Sequence, residues 1–190
     1  MFDLPTMKLF FAMLTLATNV AVAGYLAIFV AARWSDRATD MKYQIHGYVA
    51  GNELLFGAIV SAAAAAGSLY LSEAAHLIPC TLCWYQRIAM YPLAVVLAIA
   101  AVRRDRSVHL YAVVLASIGA VIAVYHYVIQ WFPNLEGTSC TTAIPCTAYW
   151  FRVFGFISIP YMALSAFLFV LVMMAVLRSN DTTESPTATE

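Results

Sequence analysis

The residues best suited to chemistry in this 190-residue chain are its four cysteines, which occur as two close pairs. Cys80 and Cys83 form a C-x2-C motif, and five residues separate Cys140 from Cys146. Two thiols at such spacing can form a disulfide or exchange one with another protein. We therefore consider redox exchange first, with two inert structural disulfides or a four-thiolate zinc site as alternatives.

Arg87 follows the first cysteine pair in a helical pattern. Cys80, Cys83 and Arg87 stand at i, i+3 and i+7, so they share one helix face. The free amides and dipole of a helix start predict that Cys83 is more acidic than an ordinary thiol. A guanidinium one turn deeper is suited to holding an electron-rich oxygen, such as a quinone carbonyl. The alternative is that Arg87 only reaches the lipid headgroups.

The second pair encloses a short loop. A disulfide across so few residues contributes less chain-entropy stabilisation than one that closes a long loop. An accessible disulfide in a short loop is also more easily exchanged. The Cys140/Cys146 pair therefore favours a redox role over a purely structural one.

The composition excludes an ordinary soluble domain, because 63% of the residues are hydrophobic and only 11% are charged. Ten basic residues balance ten acidic ones, so the chain lacks the positive field that nucleic-acid binding requires. The sequence therefore predicts a multi-pass membrane protein with lipid, and not nucleic acid, as its surroundings.

Stretches without charge predict five transmembrane helices and hence an all-α membrane protein. The third stretch, Ile88–Val102, is long enough only if its helix starts near Cys80 and carries Arg87 in its first turns. The first stretch, Leu9–Ala32, resembles a secretory signal, but its apolar sequence continues to Ala32, which favours an uncleaved helix. The stretches are Leu9–Ala32, Leu54–Ser72, Ile88–Val102, Ser107–Phe132 and Val153–Leu177.

The basic residues predict the orientation of these helices. If the first helix runs from outside to inside, seven basic residues are cytoplasmic and Lys8, Arg87 and Arg152 are not, in agreement with the positive-inside rule. All four cysteines then lie in or beside two extracytoplasmic loops, where disulfides persist.

Together these motifs resemble the DsbB-type membrane disulfide oxidoreductases, especially their short BdbC-like branch. The matching segments run in order from Leu54 to Leu177. They are CTLCWYQR from Cys80 to Arg87, Met90–Pro92, Tyr125–Tyr127 with Gln130 and Pro133, the Cys140/Cys146 loop, and Phe154–Pro160, assigned to the last helix.

The resemblance implies a four-helix transmembrane redox bundle over residues 54–178. Residues 1–53 then form an additional N-terminal transmembrane helix with a cytoplasmic linker, for which a membrane anchor or a partner-binding helix are the two interpretations. Residues 179–190 form a polar tail that we expect to be disordered.

The resemblance also implies an activity, in the cytoplasmic (inner) membrane of a bacterium with the active cysteines extracytoplasmic. A thioredoxin-like, DsbA-like thiol oxidase attacks Cys140, Cys146 then exchanges with Cys80, and Cys83 is freed to meet the quinone. Electrons pass to the membrane pool of ubiquinone or menaquinone, and no metal is expected. The residues implied to bind the quinone are Gln86, Arg87 and His126.

Other interpretations remain open at this stage. Glu73 and His76 are spaced to relay protons, although interfacial solvation explains them equally well. An enzyme similar to vitamin K epoxide reductase shares the chemistry, but its loop cysteines precede its CxxC, which reverses the order found here. A structural membrane subunit is the non-enzymatic alternative, and a haem protein is disfavoured because CTLCW lacks the histidine of a CxxCH motif.

Overall fold

The computed structural model describes residues 4–137, 140 and 144–184, with the side chains of 181–184 excepted. Within these residues the chain forms six α-helices, numbered here in chain order. They are α1 (Leu4–Ala31), α2 (Asp36–Val49), α3 (Glu53–Leu69, continued by a π-helical turn at Tyr70–Ala74), α4 (Thr81–Arg103), α5 (His109–Trp131) and α6 (Ile159–Glu184).

Five helices of the described residues are long and apolar enough to cross a membrane: α1, α3, α4, α5 and α6. The same part of the chain contains no β-strand, only one isolated β-bridge. The prediction of an all-α membrane protein with five spans is confirmed.

The four helices α3 to α6 form a bundle. Each packs against its neighbour in the chain, and α6 closes the ring against α3. The additional helix α1 lies outside this ring, against α6 and α2. Ala12 and Thr15 are its buried residues, and the rest of α1 is exposed to various degrees, as suits a helix surrounded by lipid.

Small side chains let the bundle helices approach closely. On α5, Ala116 and Ala123 are fully buried, and a Cβ atom added at Gly119 would overlap the ring of Phe167 on α6. Transmembrane helices associate through such close van der Waals contact because lipid provides no hydrophobic drive between them. This contact fixes α5 against α6 and therefore positions His126, which lies farther along α5.

The last helix begins later than predicted. The uncharged stretch predicts a helix from Val153, but α6 begins at Ile159. Val153 and Ile157 exchange two backbone hydrogen bonds, of 2.9 and 3.0 Å, across a tight turn. Phe154 and Gly155 in this turn have φ angles of +53° and +81°. Gly155 adopts a positive φ without strain, which allows a tight turn here. This turn stands where the sequence predicts the first turns of the helix.

The predicted linker contains a helix, α2, that ties four helices together at the end of the bundle opposite the cysteines. The hydroxyl of Tyr25 donates to His46 Nε2 over 3.0 Å, and His46 Nδ1 donates to Asn180 Oδ1 over 3.2 Å. Asn180 Nδ2 donates in turn to the buried carboxylate of Glu53 over 2.6 Å. Because its nitrogen donates to Glu53, the Asn180 amide must accept from His46 through its oxygen, and the proton of the neutral His46 ring is therefore on Nδ1.

Helix α6 also extends beyond Leu177, its predicted end. Helical backbone continues to Glu184, so the first part of the expected disordered tail is ordered as helix. Residues 185–190, the remainder of that tail, lie outside the described residues.

Candidate active site

The first cysteine pair lies at the N-terminus of α4, as predicted. Cys80 is the N-cap residue, with an extended backbone, and the helix begins at Thr81. The amide of Cys83 donates to the Cys80 sulfur over 3.3 Å, and the two sulfurs lie 2.8 Å apart as free thiols. Cys80 is buried and Cys83 is half-buried, so the pair is reachable mainly through Cys83.

The contacts at this helix start favour a thiolate at Cys80. The hydrogen bond from the Cys83 thiol lowers the pKa of the Cys80 thiol, and the neighbouring His126 and the Cys83 amide lower it further, while burial acts in the opposite direction. The sequence predicts the helix start to act on Cys83, whereas in the structure the amide at the helix start donates to the Cys80 sulfur. The N-cap side chain, and not the third helical residue, receives the free amide of the helix start.

His126 on α5 connects the two cysteine pairs. It is 2% exposed, and its Nε2 lies 3.2 Å from the backbone oxygen of Cys146 and 3.7 Å from the sulfur of Cys80. The buried Gln86 amide lies 3.0 Å from Nδ1. A carbonyl oxygen can only accept, so Nε2 carries the proton and Gln86 donates to Nδ1. The imidazole is thereby held with its N–H toward Cys146 and Cys80.

Arg87 is turned toward α3. Its Nε donates to the Ser68 hydroxyl over 2.9 Å, and its Nη2 donates to the Ser68 backbone oxygen over 3.0 Å. The guanidinium carbon also lies 5.1 Å from the centre of the Trp84 ring, and the side chain is half-buried. No motif in the sequence predicts this contact with Ser68. These contacts fix the guanidinium between helices and do not match the alternative in which it extends to the headgroups.

Two cavities border the first cysteine pair. The first cavity is partly open at the surface, and its wall includes Cys83, Gln86 and Arg87. The second cavity is lined by Cys80, Cys83 and His126 among others. The structure therefore divides the residues expected at a quinone, because Arg87 borders the first cavity, whereas His126 borders the second.

The cavity that Arg87 borders fits the chemistry of a quinone. Its wall is predominantly apolar, as an isoprenoid molecule requires, and the Arg87 guanidinium offers a fixed positive charge beside the Cys83 thiol. Gln86 also borders it, but the Gln86 amide is hydrogen-bonded to His126. Arg87 and Cys83 are accordingly the residues that would hold and reduce a quinone ring here.

The second pair forms a disulfide between Cys140 and Cys146. Cys146 is fully buried, while Cys140 is half-buried and therefore the sulfur open to a partner. The loop is tied to α5 by Gln130, which donates from Nε2 to the Ala148 oxygen over 3.4 Å. Arg152 donates to the Gln130 backbone oxygen over 2.8 Å. Residues 138–139 and 141–143 of this loop lie outside the described residues.

Glu136 is a site residue that the sequence analysis missed. Its carboxylate accepts from the Cys146 amide over 3.0 Å, and a carboxylate oxygen and the sulfurs of Cys140 and Cys146 all lie within 4.8 Å of one another. The only signal in the sequence was an acidic residue four positions before Cys140. The carboxylate positions the loop and lies close enough to exchange a proton with a thiol that forms there.

The proposed relay residues Glu73 and His76 are exposed, and neither borders the two cavities. The Glu73 carboxylate accepts from the neighbouring Ser72 hydroxyl over 3.0 Å. Their position is that expected from interfacial solvation, and the structure does not bring them to the cysteines.

The pairing of the cysteines bears on the zinc alternative. Cys80, Cys83 and His126 place their ligand atoms within 4.8 Å of one another, and Glu136, Cys140 and Cys146 form a second such group. The sulfurs of the second group are joined in a disulfide and so are not thiolate ligands. A site of four thiolates is incompatible with this pairing.

Comparison with known proteins now bears on the same residues. Residues 52–177 match the family model described as "Disulfide bond formation protein DsbB", which covers the helices of the bundle and all four cysteines. The chain belongs to the DsbB family. It is accordingly a multi-pass membrane protein of a disulfide-forming family, as the sequence predicts.

Curated relatives of this DsbB-family protein carry related names. "Disulfide bond formation protein C" of Bacillus subtilis (strain 168) is 44% identical over 123 residues, which cover 64% of this chain and 89% of the relative. "Probable disulfide formation protein" of Oceanobacillus iheyensis is 41% identical over 126 residues, 65% of this chain and 87% of the relative. "Probable disulfide formation protein C 2" of Bacillus anthracis is 45% identical over 107 residues, 56% and 76% of the two chains. No solved structure matches.

The family match begins at residue 52, next to the start of α3. Helices α1 and α2 therefore lie outside the part of this DsbB-family protein that the family describes. Any role they have must be read from their contacts with the bundle.

Proposed function

We propose that this DsbB-family protein is a thiol:quinone oxidoreductase of the bacterial cytoplasmic membrane, with its cysteines on the extracytoplasmic face. It reoxidises a thioredoxin-like, DsbA-like thiol oxidase and passes the electrons to ubiquinone or menaquinone, which supports disulfide formation in exported proteins. The observation that carries the proposal is the contact of His126 with both cysteine pairs, beside a Cys83 that borders the cavity of Arg87.

The outer disulfide takes the electrons from the partner. A partner thiolate attacks Cys140, the more exposed sulfur, and the Cys140–Cys146 bond breaks to release a Cys146 thiolate. The second thiol of the partner then displaces Cys140 and completes the partner's own disulfide. Two electrons have entered the protein. Glu136 lies where it can take a proton from, or return one to, the thiols of Cys140 and Cys146.

The electrons then pass to the inner pair. The Cys146 thiolate attacks Cys80 of a Cys80–Cys83 disulfide, forming a Cys80–Cys146 bond and releasing Cys83. Attack by Cys140 on Cys146 restores the outer disulfide and releases Cys80 as a thiolate. The N–H of His126 and the Cys83 amide both point at this sulfur, so the leaving group is stabilised where its charge appears.

The final transfer oxidises the inner dithiol, Cys80 and Cys83. Cys80 and Cys83 return to a disulfide by giving up two electrons and two protons, which a quinone in the cavity beside Arg87 would accept. Cys83 supplies the sulfur on the cavity side, while Arg87, fixed by Ser68, holds positive charge where a reduced oxygen develops negative charge. The buried Cys80 keeps its thiolate away from lipid and water.

The decisive experiment uses the purified protein in lipid nanodiscs with a reduced thioredoxin-like oxidase and a long-chain quinone. We expect quinone absorbance to fall in a one-to-one ratio with the partner disulfide that forms. Cys83→Ser should abolish this coupled reaction. Oxidation of the partner without loss of quinone, or no reaction in the wild-type protein, would contradict the proposal and favour a structural subunit or another electron acceptor.

A further inference from the structure

We propose that α1, which lies outside the family match, forms a wall of the quinone cavity and packs against the isoprenoid quinone bound there. This inference rests on the proposed function and gives the additional helix a part in it. It concerns ligand binding, and it replaces the two interpretations of α1 as a plain membrane anchor or a partner-binding helix.

The cavity next to Arg87 and Cys83 is closed by α1 as well as by the bundle. One side of its wall comes from α3, α4 and α6, and α1 contributes Phe11, Leu14, Thr15 and Thr18. These four residues recur at spacings of three and four and hence form one stripe on α1. Without α1, this side of the cavity would open directly into the lipid.

The same stripe also contacts the bundle. A Cβ atom added at Gly67 of α3 would lie 2.8 Å from the ring of Phe11, so this glycine is needed for the observed packing. Thr15 is 7% exposed, in a helix that is otherwise largely exposed. One helix turn farther, Asn19 Nδ2 donates to the Tyr161 hydroxyl of α6 over 3.0 Å. The wall is thus attached to both α3 and α6.

The chemistry of the stripe fits an apolar ligand. The hydroxyls of Thr15 and Thr18 each donate to a backbone oxygen of their own helix, to Phe11 and Leu14 respectively, over 2.8 Å. Their hydrogen-bonding capacity is used inside α1, so the stripe presents methyl groups, an aromatic ring and a leucine to the cavity. Arg87 of α4 supplies the charged group for polar recognition in the same cavity, which suits an isoprenoid quinone with a polar ring and an apolar tail.

The test compares two substitutions on α1 in the full-length protein in nanodiscs. Thr18→Phe places a ring in the cavity, whereas Val20→Phe, at a position 71% exposed and away from the cavity, is the matched control. Overpacking a filled site typically costs about 1–3 kcal/mol, and we expect Thr18→Phe to raise the apparent KM for a long-chain quinone about tenfold. Val20→Phe should leave it unchanged, and when either substitution is combined with Cys146→Ser a partner should still be trapped at Cys140. Equal quinone KM values for wild type and both variants would overturn the inference.

A second measurement needs no substitution and separates this inference from the proposed function. A photoreactive azidoquinone should label the α1 peptide that contains Phe11 to Thr18, and excess unmodified quinone should prevent the labelling. Labelling of the bundle alone, with quinone reduction intact, would overturn the role of α1 and leave the oxidoreductase proposal standing. Competed labelling of α1 in a protein that does not reduce quinone would support the binding wall and overturn the proposed reaction.

Discussion

The imidazole Nε2 of His126 lies 3.7 Å from the sulfur of Cys80, with its N–H directed by the hydrogen bond that Gln86 donates to the other ring nitrogen. The same Nε2 contacts the backbone of Cys146, so one buried side chain from α5 reaches both cysteine pairs. This histidine therefore lies where electrons would cross between the two cysteine pairs.

We first predict that His126→Phe slows transfer between the pairs. The ring would retain its volume but lose the donor to the departing Cys80 sulfur. A hydrogen bond to a charged group is worth roughly 1.5–3 kcal/mol, which corresponds to about a tenfold to hundredfold slower step. Rapid-quench detection of the Cys80–Cys146 link in a single turnover measures it. His109→Phe, at the other end of α5, is the control, and equal rates in the two variants would contradict the role.

The second prediction concerns pH. Hydrogen bonding from Cys83 lowers the pKa of Cys80, so in the reduced protein its thiolate should persist at a pH below the usual titration range of a thiol. Ultraviolet absorbance of the thiolate, followed against pH, gives the midpoint. Cys83→Ala removes the largest contribution and should move the midpoint upward, and His126→Phe should do so to a smaller degree. A midpoint that is unchanged in Cys83→Ala would refute this account.

The third prediction separates the two cysteine pairs. Cys146→Ser leaves Cys140 without its intramolecular partner, so a thioredoxin-like oxidase should remain attached as a stable mixed disulfide, visible by non-reducing electrophoresis. Cys83→Ser should abolish quinone reduction while oxidised outer cysteines still react once with the partner. Complete loss of partner reaction in both variants would show that the pairs do not divide the work in this way.

The fourth prediction tests Arg87. Arg87→Met removes the charge beside Cys83 and both hydrogen bonds to Ser68, and we expect quinone affinity or turnover to fall about tenfold to hundredfold. Arg87→Lys should restore part of the loss, since charge returns without the planar guanidinium. Steady-state kinetics with varied quinone measure both. Arg103→Met, at the far end of α4, is the control. A folded Arg87→Met protein with wild-type quinone kinetics would exclude the role.

The fifth prediction fixes the orientation in the membrane. Arg103 and Cys80 lie at opposite ends of α4, so they must face opposite sides of the bilayer. A cysteine introduced at Ser107 should react with an impermeant maleimide only after the cells are opened, because the positive-inside rule places this end in the cytoplasm. Labelling of this cysteine in intact cells would show that the orientation is the reverse of the proposed one.

The parts of the fold that follow from composition could be predicted from the sequence. Uncharged stretches located the five spans, and the C-x2-C spacing before Arg87 located the helix start at Cys80. Hydropathy does not detect a turn inside an apolar segment, so it predicts helix where the structure has the bridge between Val153 and Ile157. Helix α2 was missed for the opposite reason, since its polar sequence resembles a linker.

The contacts between helices could not be predicted in the same way. Ser68 and Arg87 are 19 residues apart, and nothing in the chain marks that serine among the other small residues of α3. The contact of His126 with Cys80 could not be predicted either, because depth in the membrane does not specify which side of α5 faces Cys80. Glu136 lacked a motif altogether and became visible only through its contact with the Cys146 amide.

The attachment of α1 sets an order for the assembly of the protein. As the chain is synthesised from its N-terminus, α1 is made before α6, but Tyr161 and Asn180, which tie α1 and α2 to the bundle, belong to α6. The hydrogen bond between Asn19 and Tyr161 therefore cannot form until more than 140 further residues have been inserted. A nascent chain lacking α6 would already carry every cysteine, yet α1 would lack its contacts with α6 and keep those with α2 and with Gly67 of α3.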